Sequence, residues 1–129
     1  MMSDIRNKKL KVLVTEDEAI NRMYITTILE GNGWEIHEAS DGLEALNYIK
    51  SNDYDVVLMD ISMPRLNGID ATIQIREKES DGIHLPVIAL TAHAFPSDRK
   101  KFLEAGMDDV VVKPLNEETL IDVISKYVD

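Results

Sequence analysis

The 129-residue sequence contains no cysteine, and basic residues are scarce beside acidic ones. Without cysteine the chain forms no disulfide and has no thiolate nucleophile or ligand, which fits a reducing compartment. Its 14 Lys and Arg against 24 Asp and Glu give a formal net charge of -10 at pH 7. That charge disfavours nucleic acid or an anionic membrane as the main partner, and acidic surfaces of this kind commonly serve solubility.

Long apolar runs are also missing. No stretch approaches the roughly 18 residues that cross a bilayer. The polar start, MMSDIRNKK, has no apolar segment typical of a signal peptide. The hydrophobic content of 44% is nevertheless enough for one core. We therefore expect a soluble, cytoplasmic chain with a polar lead-in over residues 1–9, one domain over residues 10–128 and no second domain.

Five short apolar runs have the composition of strands. The run DVVLMD at residues 55–60 is continuous, which is typical of a strand buried on both faces of a parallel sheet. Residues 10–15, 86–91 and 109–113 form similar runs, whereas residues 34–39 alternate in polarity like an edge strand. The pattern predicts five strands, with the third in the interior of the sheet.

The segments between these runs carry helical signals. Apolar residues recur at helical spacing after the first strand, Asp41 and Glu44 fit a capping box, and Asn116 is placed to cap a last helix. Two further helices are predicted over residues 68–79 and 96–105. Strands and helices thus alternate five times with short connections, which predicts an α/β fold with helices on both faces of a parallel sheet.

Polar side chains stand at the carboxyl ends of four predicted strands. Glu16 and Asp17 follow the first strand, Asp60 ends the third, Thr91 ends the fourth and Lys113 ends the fifth. Because the carboxyl ends of parallel strands lie along one edge, these side chains should meet where open α/β sheets place their ligands. The second strand is expected to lie outside this crevice.

This combination of groups indicates phosphoryl chemistry. Carboxylates close together repel one another unless a cation neutralises them, and an all-oxygen ligand set favours Mg²⁺ over Zn²⁺. A carboxylate can be a nucleophile that forms an aspartyl-phosphate, while a hydroxyl and an ammonium hold the other phosphoryl oxygens. Each residue alone has a plainer explanation, such as acidic residues at a helix N-terminus. Together they predict phosphoryl transfer onto Asp60.

Three other classes of function stay open at this point. A Mg²⁺-dependent phosphohydrolase would use Asp60 as its nucleophile, although Ser62 cannot serve as the second acid that such enzymes commonly place two residues later. An adaptor that binds partners without phosphorylation has no need for the polar cluster. A flavodoxin-like carrier needs a phosphate-binding loop rich in Ser, Thr or Gly after the first strand, and the sequence has none there.

The motifs at the strand ends together resemble a response-regulator receiver domain of the CheY-like family. They occur in that family's order: VLVTEDE at residues 12–18, LMDISMP at residues 58–64 with Asn67-Gly68, ALTA at residues 89–92, AGMDD at residues 105–109 and Lys113-Pro114. The resemblance spans residues 10–128 and is strongest to receivers of hybrid histidine kinases. It implies a single-domain, flavodoxin-like, doubly wound (βα)5 fold with the strand order 2-1-3-4-5. A stand-alone receiver and a receiver excised from a longer protein both fit.

The resemblance also implies how the acidic residues act. Asp60 would accept a phosphoryl group from a histidine of a partner histidine kinase or histidine phosphotransfer protein. Asp17 and Asp60 would ligate Mg²⁺ together with the backbone carbonyl of Ser62, while Glu16 would act through water.

The remaining implied roles concern the phosphoryl oxygens and the response to them. Thr91 would bind one phosphoryl oxygen and move towards it, and Lys113 would pair with the phosphate, next to a cis Lys113-Pro114 bond. The family usually has Tyr or Phe three residues before this lysine, and Val110 stands there instead. The helix at residues 96–105, the strand of Val110 and the last helix would form the partner surface.

Overall fold

The computed structural model describes residues 5–128, in which five strands alternate with five helices. Their bounds are β1 Lys11–Thr15, α1 Ala19–Glu30, β2 Glu35–Ala39, α2 Gly42–Ser51, β3 Val56–Asp60, α3 Gly68–Lys78, β4 Val87–Thr91, α4 Pro96–Glu104, β5 Asp109–Val112 and α5 Glu117–Ser125. Each observed strand differs from the predicted one by a single terminal residue. Within the described residues, none of the helices is both long and apolar enough to span a bilayer.

All five strands pair in parallel in one sheet of order β2-β1-β3-β4-β5. The α/β fold and the strand order implied by the resemblance are therefore confirmed. Every residue of β3 is buried, as the continuous apolar run predicts, because β1 and β4 flank this strand and helices cover both faces. The edge strand β2 alternates in polarity and remains partly exposed.

The side chains of the strands alternate between two core layers because successive residues point to opposite faces of a sheet. Val12 and Leu58 belong to the layer that contains apolar side chains of α1 and α5. Leu13 and Val57 belong to the layer that contains apolar side chains of α2, α3 and α4. Burial of each such side chain contributes roughly 1.5–3 kcal/mol, so the sheet is a rigid base for whatever its edge carries.

The polar lead-in predicted over residues 1–9 includes a structured part. Ile5–Asn7 form a short 3-10 helix, and Ile5, 4% exposed, packs into the α1/α5 layer. An isoleucine buried to this extent contributes enough to order a polar segment. The charged residues that surround Ile5 in the sequence concealed this contact, so the ordered fold begins before residue 10. Residues 1–4 and 129 lie outside the described residues.

Two predicted helix caps are present in the structure. The side chain of Asp41 accepts a hydrogen bond from the Glu44 N–H at 2.9 Å, and Asn116 accepts one from the Thr119 N–H at 2.9 Å. The predicted capping box at Asp41 is only half formed. The Glu44 carboxylate accepts from the hydroxyl and the N–H of Ser40 rather than from the Asp41 N–H.

Gly68 begins α3 against the end of the strand that carries Asp60. Its N–H donates to the Ile61 carbonyl at 3.1 Å, and a Cβ at this position would lie 2.2 Å from the Asp60 carbonyl oxygen. Because that oxygen belongs to the backbone, no rotation of a side chain relieves the contact. Only glycine lets α3 approach the strand end this closely.

We expect Gly68→Ala to lower the free energy of unfolding by about 1–3 kcal/mol, the usual cost of overpacking. Urea unfolding measures this change. Gly31→Ala is the matched control, since Gly31 ends α1 with φ -59° and its Cβ would meet the nearest atom at 3.3 Å. We expect the control to change stability by no more than about 0.5 kcal/mol. Equal effects of the two substitutions would contradict the close approach at Gly68.

Candidate functional site

Three carboxylates and one ammonium group meet at the carboxyl edge of the sheet. One carboxylate oxygen from each of Glu16, Asp17 and Asp60 lies within 4.8 Å of the other two. The Lys113 Nζ lies 3.2 Å from Glu16 Oε2 and 3.5 Å from Asp60 Oδ1. We call Glu16, Asp17, Asp60 and Lys113 the acidic cluster. The strand-end pattern placed all four residues at this edge.

Burial differs sharply within the acidic cluster. Glu16 is 1% exposed and Asp60 is 5% exposed, whereas Asp17 is exposed at the mouth of the site. Burial, and then the neighbouring Glu16 carboxylate, raise the pKa of Asp60 to about 8, although Lys113 and the Ser62 N–H act in the opposite direction. Burial alone would lower the pKa of Lys113, but Asp60 and Glu16 raise it above its ordinary value.

One ammonium group does not neutralise three carboxylates, so the acidic cluster is suited to a divalent cation. The donor atoms are all carboxylate oxygens, which is the chemistry of hard ions such as Mg²⁺. The raised pKa of Asp60 agrees with this interpretation, since a bound cation would favour the ionised form of Asp60 over its protonated form. The residues therefore fit a magnesium ion.

Two residues of α1 hold Glu16 in place, and neither was predicted as a site residue. Asn21 Nδ2 donates to Glu16 Oε1 at 3.1 Å, and Arg22 Nη1 donates to the Glu16 carbonyl at 2.7 Å. Arg22 also pairs with Glu38 at 3.2 Å, which ties the acidic pair to the end of β2. Their position in the first turn of the helix after the acidic pair was the signal available, since such residues can face back to the strand end.

Thr91 lies at the predicted strand end, but its hydroxyl is engaged by its own loop. Its Oγ1 donates to the His93 carbonyl at 2.9 Å and accepts from the His93 N–H at 3.2 Å. Among the hydrogen bonds of residues 5–128, none joins Thr91 to Asp60. The His93 ring stacks on Phe95 with 6.0 Å between ring centroids. The sequence located Thr91 but could not show which partner its hydroxyl takes.

The remaining residues named from the sequence lie on either side of the cluster. The Ser62 N–H donates to Asp60 Oδ1 at 3.3 Å, and the Lys113-Pro114 bond is cis, as the resemblance implies. Val110 is buried in the α2/α3/α4 layer, which also contains Phe102 of α4. This strand position therefore presents no ring to the site or to the surface.

Cavities in the described part of the chain do not all coincide with this site. A shallow cleft beside the acidic cluster is lined by Asp17, Ser62, Asn67 and Lys101 among others. A larger cavity of about 720 Å³ is lined by residues such as Leu46 and Ile75 and shares no residue with the acidic cluster. We associate the site with the smaller cleft because Asp17 of the acidic cluster and Ser62, which donates to Asp60, line it.

Comparison with known proteins gives one family. The family model of the response regulator receiver domain matches residues 12–125. The chain is 47% identical over 129 residues to hybrid signal transduction histidine kinase I of Dictyostelium discoideum, and the match covers 92% of this chain. The chain spans only 7% of the length of that relative.

Solved structures with the same fold include two that bear on the site. One is the receiver domain of a sensor histidine kinase from Pseudomonas aeruginosa PAO1 with a magnesium ion coordinated in the active site cleft. It has a TM-score of 0.84 at 34% identity and covers 92% of this chain and 97% of its own. The other is a Saccharomyces cerevisiae receiver domain in complex with a histidine phosphotransfer protein. It has a TM-score of 0.86 at 30% identity and covers 93% and 89% of the two chains.

We expect Asp60→Asn to stabilise the metal-free protein, and more so as the pH rises from 5 to 8. Asp60 has a higher pKa in the folded chain than in the unfolded chain, so its stabilising contribution is complete only below pH 3.8 and is lost as the pH approaches 8. The asparagine does not titrate. At pH 8 its advantage should be about 1–3 kcal/mol, typical of a poorly compensated buried group.

Urea unfolding in EDTA at several pH values measures this advantage. Asp53→Asn is the control, because Asp53 is exposed and its loss should change stability equally little at every pH. Added Mg²⁺ should reduce the advantage of Asp60→Asn, since the wild-type cluster offers the ion one more carboxylate and is stabilised more by its binding. An advantage that stays constant between pH 5 and pH 8 would mean that Asp60 is not protonated in the folded chain.

Proposed function

Since this chain belongs to the response regulator receiver domain family, we propose that Asp60 accepts a phosphoryl group from a phosphohistidine of a partner protein. The observation that carries the proposal is the position of Lys113. Its ammonium group lies 3.5 Å from Asp60 and 3.2 Å from Glu16, at a buried strand end where carboxylates converge. A lysine that served only to stabilise the fold would not need to lie among several carboxylates at a strand end.

The transfer is a substitution at phosphorus. An oxygen of ionised Asp60 forms the new P–O bond while the P–N bond to the donor imidazole breaks, and the imidazole leaves with the bonding electron pair and takes up a proton. The product is an aspartyl-phosphate. Mg²⁺ held by Asp17, Asp60 and the Ser62 carbonyl, and by Glu16 through water, would neutralise the carboxylates and the phosphoryl oxygens.

Lys113 and Thr91 would hold the phosphoryl oxygens that the cation does not take. Lys113 already faces Asp60, so its ammonium group needs little movement to pair with the phosphate. The Thr91 hydroxyl has one hydrogen, which it now donates to the His93 carbonyl. It must leave this acceptor to donate to a phosphoryl oxygen, so phosphorylation would change the loop between β4 and α4.

The donor we infer is a histidine kinase or a histidine phosphotransfer protein. The similar receiver domain from Saccharomyces cerevisiae was crystallised with a histidine phosphotransfer protein, which supports a donor of this class. On this chain, the start of α1 exposes Ile20 (73%) and Met23 (61%) just after the acidic pair. An apolar patch beside the acceptor suits a protein that must bring its histidine to Asp60.

The surface for a downstream partner is a separate proposal. Phe95 and Leu103 of the α4 region and Val112 of β5 are exposed, so the predicted face of α4, β5 and α5 does offer apolar contacts. Two alternative functions gain no support. Ser62 occupies the position at which a phosphohydrolase needs its second acid, and an adaptor without phosphorylation does not require a buried ion-paired Asp60.

We expect acetyl phosphate with Mg²⁺ to raise the intact mass of the protein by about 80 Da, one phosphoryl group. The transfer forms the aspartyl-phosphate and releases acetate. Asp60→Asn should abolish the adduct because the asparagine amide is not a nucleophile near neutral pH. EDTA should prevent formation of the adduct on the wild type. Mass spectrometry after short incubation measures the adduct.

Asp53→Asn is the matched control and should take up the phosphoryl group as the wild type does. Circular dichroism verifies that each variant is folded. A folded wild type without an adduct, or an adduct that persists in Asp60→Asn, would refute the proposed function.

A further inference from the structure

The segment Ile61–Asn67, which we call the β3–α3 loop, is part of the site. Its Ser62 N–H donates to Asp60 Oδ1 at 3.3 Å. Both ends of the loop are fixed beside Asp60, because the Ile61 N–H donates to the Leu90 carbonyl and the Gly68 N–H donates to the Ile61 carbonyl, each at 3.1 Å. The backbone around Ser62 therefore takes its position from contacts that hold the loop.

The middle of this loop is attached to the start of α2 by an ion pair. Arg65 Nε donates to Asp41 Oδ2 at 2.8 Å, and a second nitrogen of the guanidinium donates to the same oxygen. The Gly42 N–H donates to the Leu66 carbonyl at 3.0 Å, and a Cβ on Gly42 would lie 2.4 Å from that oxygen. Loop and helix start are thus in direct backbone contact.

Asp41 serves two elements at once. Its Oδ1 caps α2 through the Glu44 N–H, while its Oδ2 accepts from Arg65. The Asp41 side chain is 5% exposed and that of Arg65 is 59% exposed. Burial opposes ionisation of Asp41, yet the Glu44 N–H and Arg65 hold its pKa below the ordinary value. A buried carboxylate that keeps its charge requires its partner, even though solvent screens the arginine side of the pair.

Arg65 also has an unusual backbone conformation. Its φ is +64°, in the left-handed region that side chains other than those of Gly, Asn and Asp seldom adopt. The next residue closes a tight turn, since the Leu66 N–H donates to the Pro64 carbonyl at 2.7 Å. Such a conformation persists only where surrounding contacts enforce it, and it is concentrated near functional sites. The ion pair with Asp41 is the side-chain contact that the structure provides.

We propose that Arg65 and Asp41 are positioning residues, which hold the β3–α3 loop so that the backbone of Ser62 stays in place for Mg²⁺ and phosphoryl transfer at Asp60. The inference rests on the proposed function, since it names what fixes one side of that site. Neither residue touches the acidic cluster. Both act through the loop backbone: Arg65 lies three residues beyond Ser62, and Asp41 lies at the start of α2.

The test compares Arg65→Ala, Asp41→Asn and the double variant by calorimetric titration with Mg²⁺. Asparagine caps helices as well as aspartate, so Asp41→Asn removes the charge and keeps the cap. We expect each single substitution to weaken Mg²⁺ binding about tenfold, the lower end of the usual effect of outer-shell partners. The double variant should be no weaker than either single variant, because both remove the same interaction.

Two further measurements and one further variant separate positioning from general destabilisation. The Gly42 amide should exchange its hydrogen faster in Arg65→Ala and Asp41→Asn than in the wild type, because its acceptor is on the loop. The acetyl phosphate reaction at saturating Mg²⁺ should remain slower in both. Arg65→Lys should recover part of the Mg²⁺ affinity, since lysine keeps the charge but lacks the planar fork.

Lys50→Ala is the matched control for Arg65→Ala. Lys50 is exposed in the last turn of α2, and its loss removes one positive charge, as the loss of Arg65 does. It should leave Mg²⁺ binding unchanged.

The proposal is overturned by a folded Arg65→Ala whose dissociation constant for Mg²⁺ lies within about twofold of the wild type. It is also overturned if the effects of the two single substitutions add in the double variant. Should Arg65→Ala not fold, Asp41→Asn decides by the same twofold criterion. Absence of a phosphoryl adduct on the wild type would refute the proposed function instead, and the Mg²⁺ comparison would still test the positioning.

Discussion

The carboxyl edge of the sheet carries an excess of negative charge, and the rest of the structure must accommodate it. Glu16 and Asp60 are buried side by side, and Lys113 supplies one positive charge for both and for Asp17. Proteins seldom bury carboxylates in this way without compensation, because desolvation is costly. The cluster persists because β1, β3 and β5 end at fixed positions in a sheet with apolar layers on both faces. The stability of those layers permits a site that is itself unfavourable without a cation.

This dependence explains which part of the site could be predicted from the sequence. A continuous apolar run followed by a polar residue predicts both a strand and its carboxyl end, so strand geometry places Glu16, Asp17, Asp60 and Lys113 along one edge of the sheet. The strand order that brings them together was implied by the resemblance. The rotation of a side chain follows from neither. Thr91 ends its strand as predicted, yet its hydroxyl bonds to His93, because a local acceptor two residues away competes with any partner across the site.

Contacts between distant loops were not predictable for a different reason. Asp41 reads as a helix cap at the end of an edge strand, and it is one, but nothing in the spacing of 24 residues indicates Arg65. Periodic patterns report on strands and helices, whereas the β3–α3 loop has no period. Ile5 was missed similarly, since one apolar residue among charged ones makes no pattern. The sequence therefore predicts the strand ends that carry the site better than it predicts the contacts between loops around them.

Val110 bears on which segments of the chain can respond to a chemical change at Asp60. It is buried in the same layer as Phe102, so it neither reaches the site nor presents a ring at the surface. The Thr91 hydroxyl, in contrast, cannot donate to a phosphoryl oxygen and to the His93 carbonyl at the same time, because it has a single hydrogen. A hydrogen bond from Thr91 to a phosphoryl group at Asp60 must therefore release the carbonyl of His93, whose ring stacks on the exposed Phe95 at the start of α4. A change at Asp60 thus alters existing contacts in two places, at the Lys113–Asp60 ion pair directly after β5 and in the loop between β4 and α4.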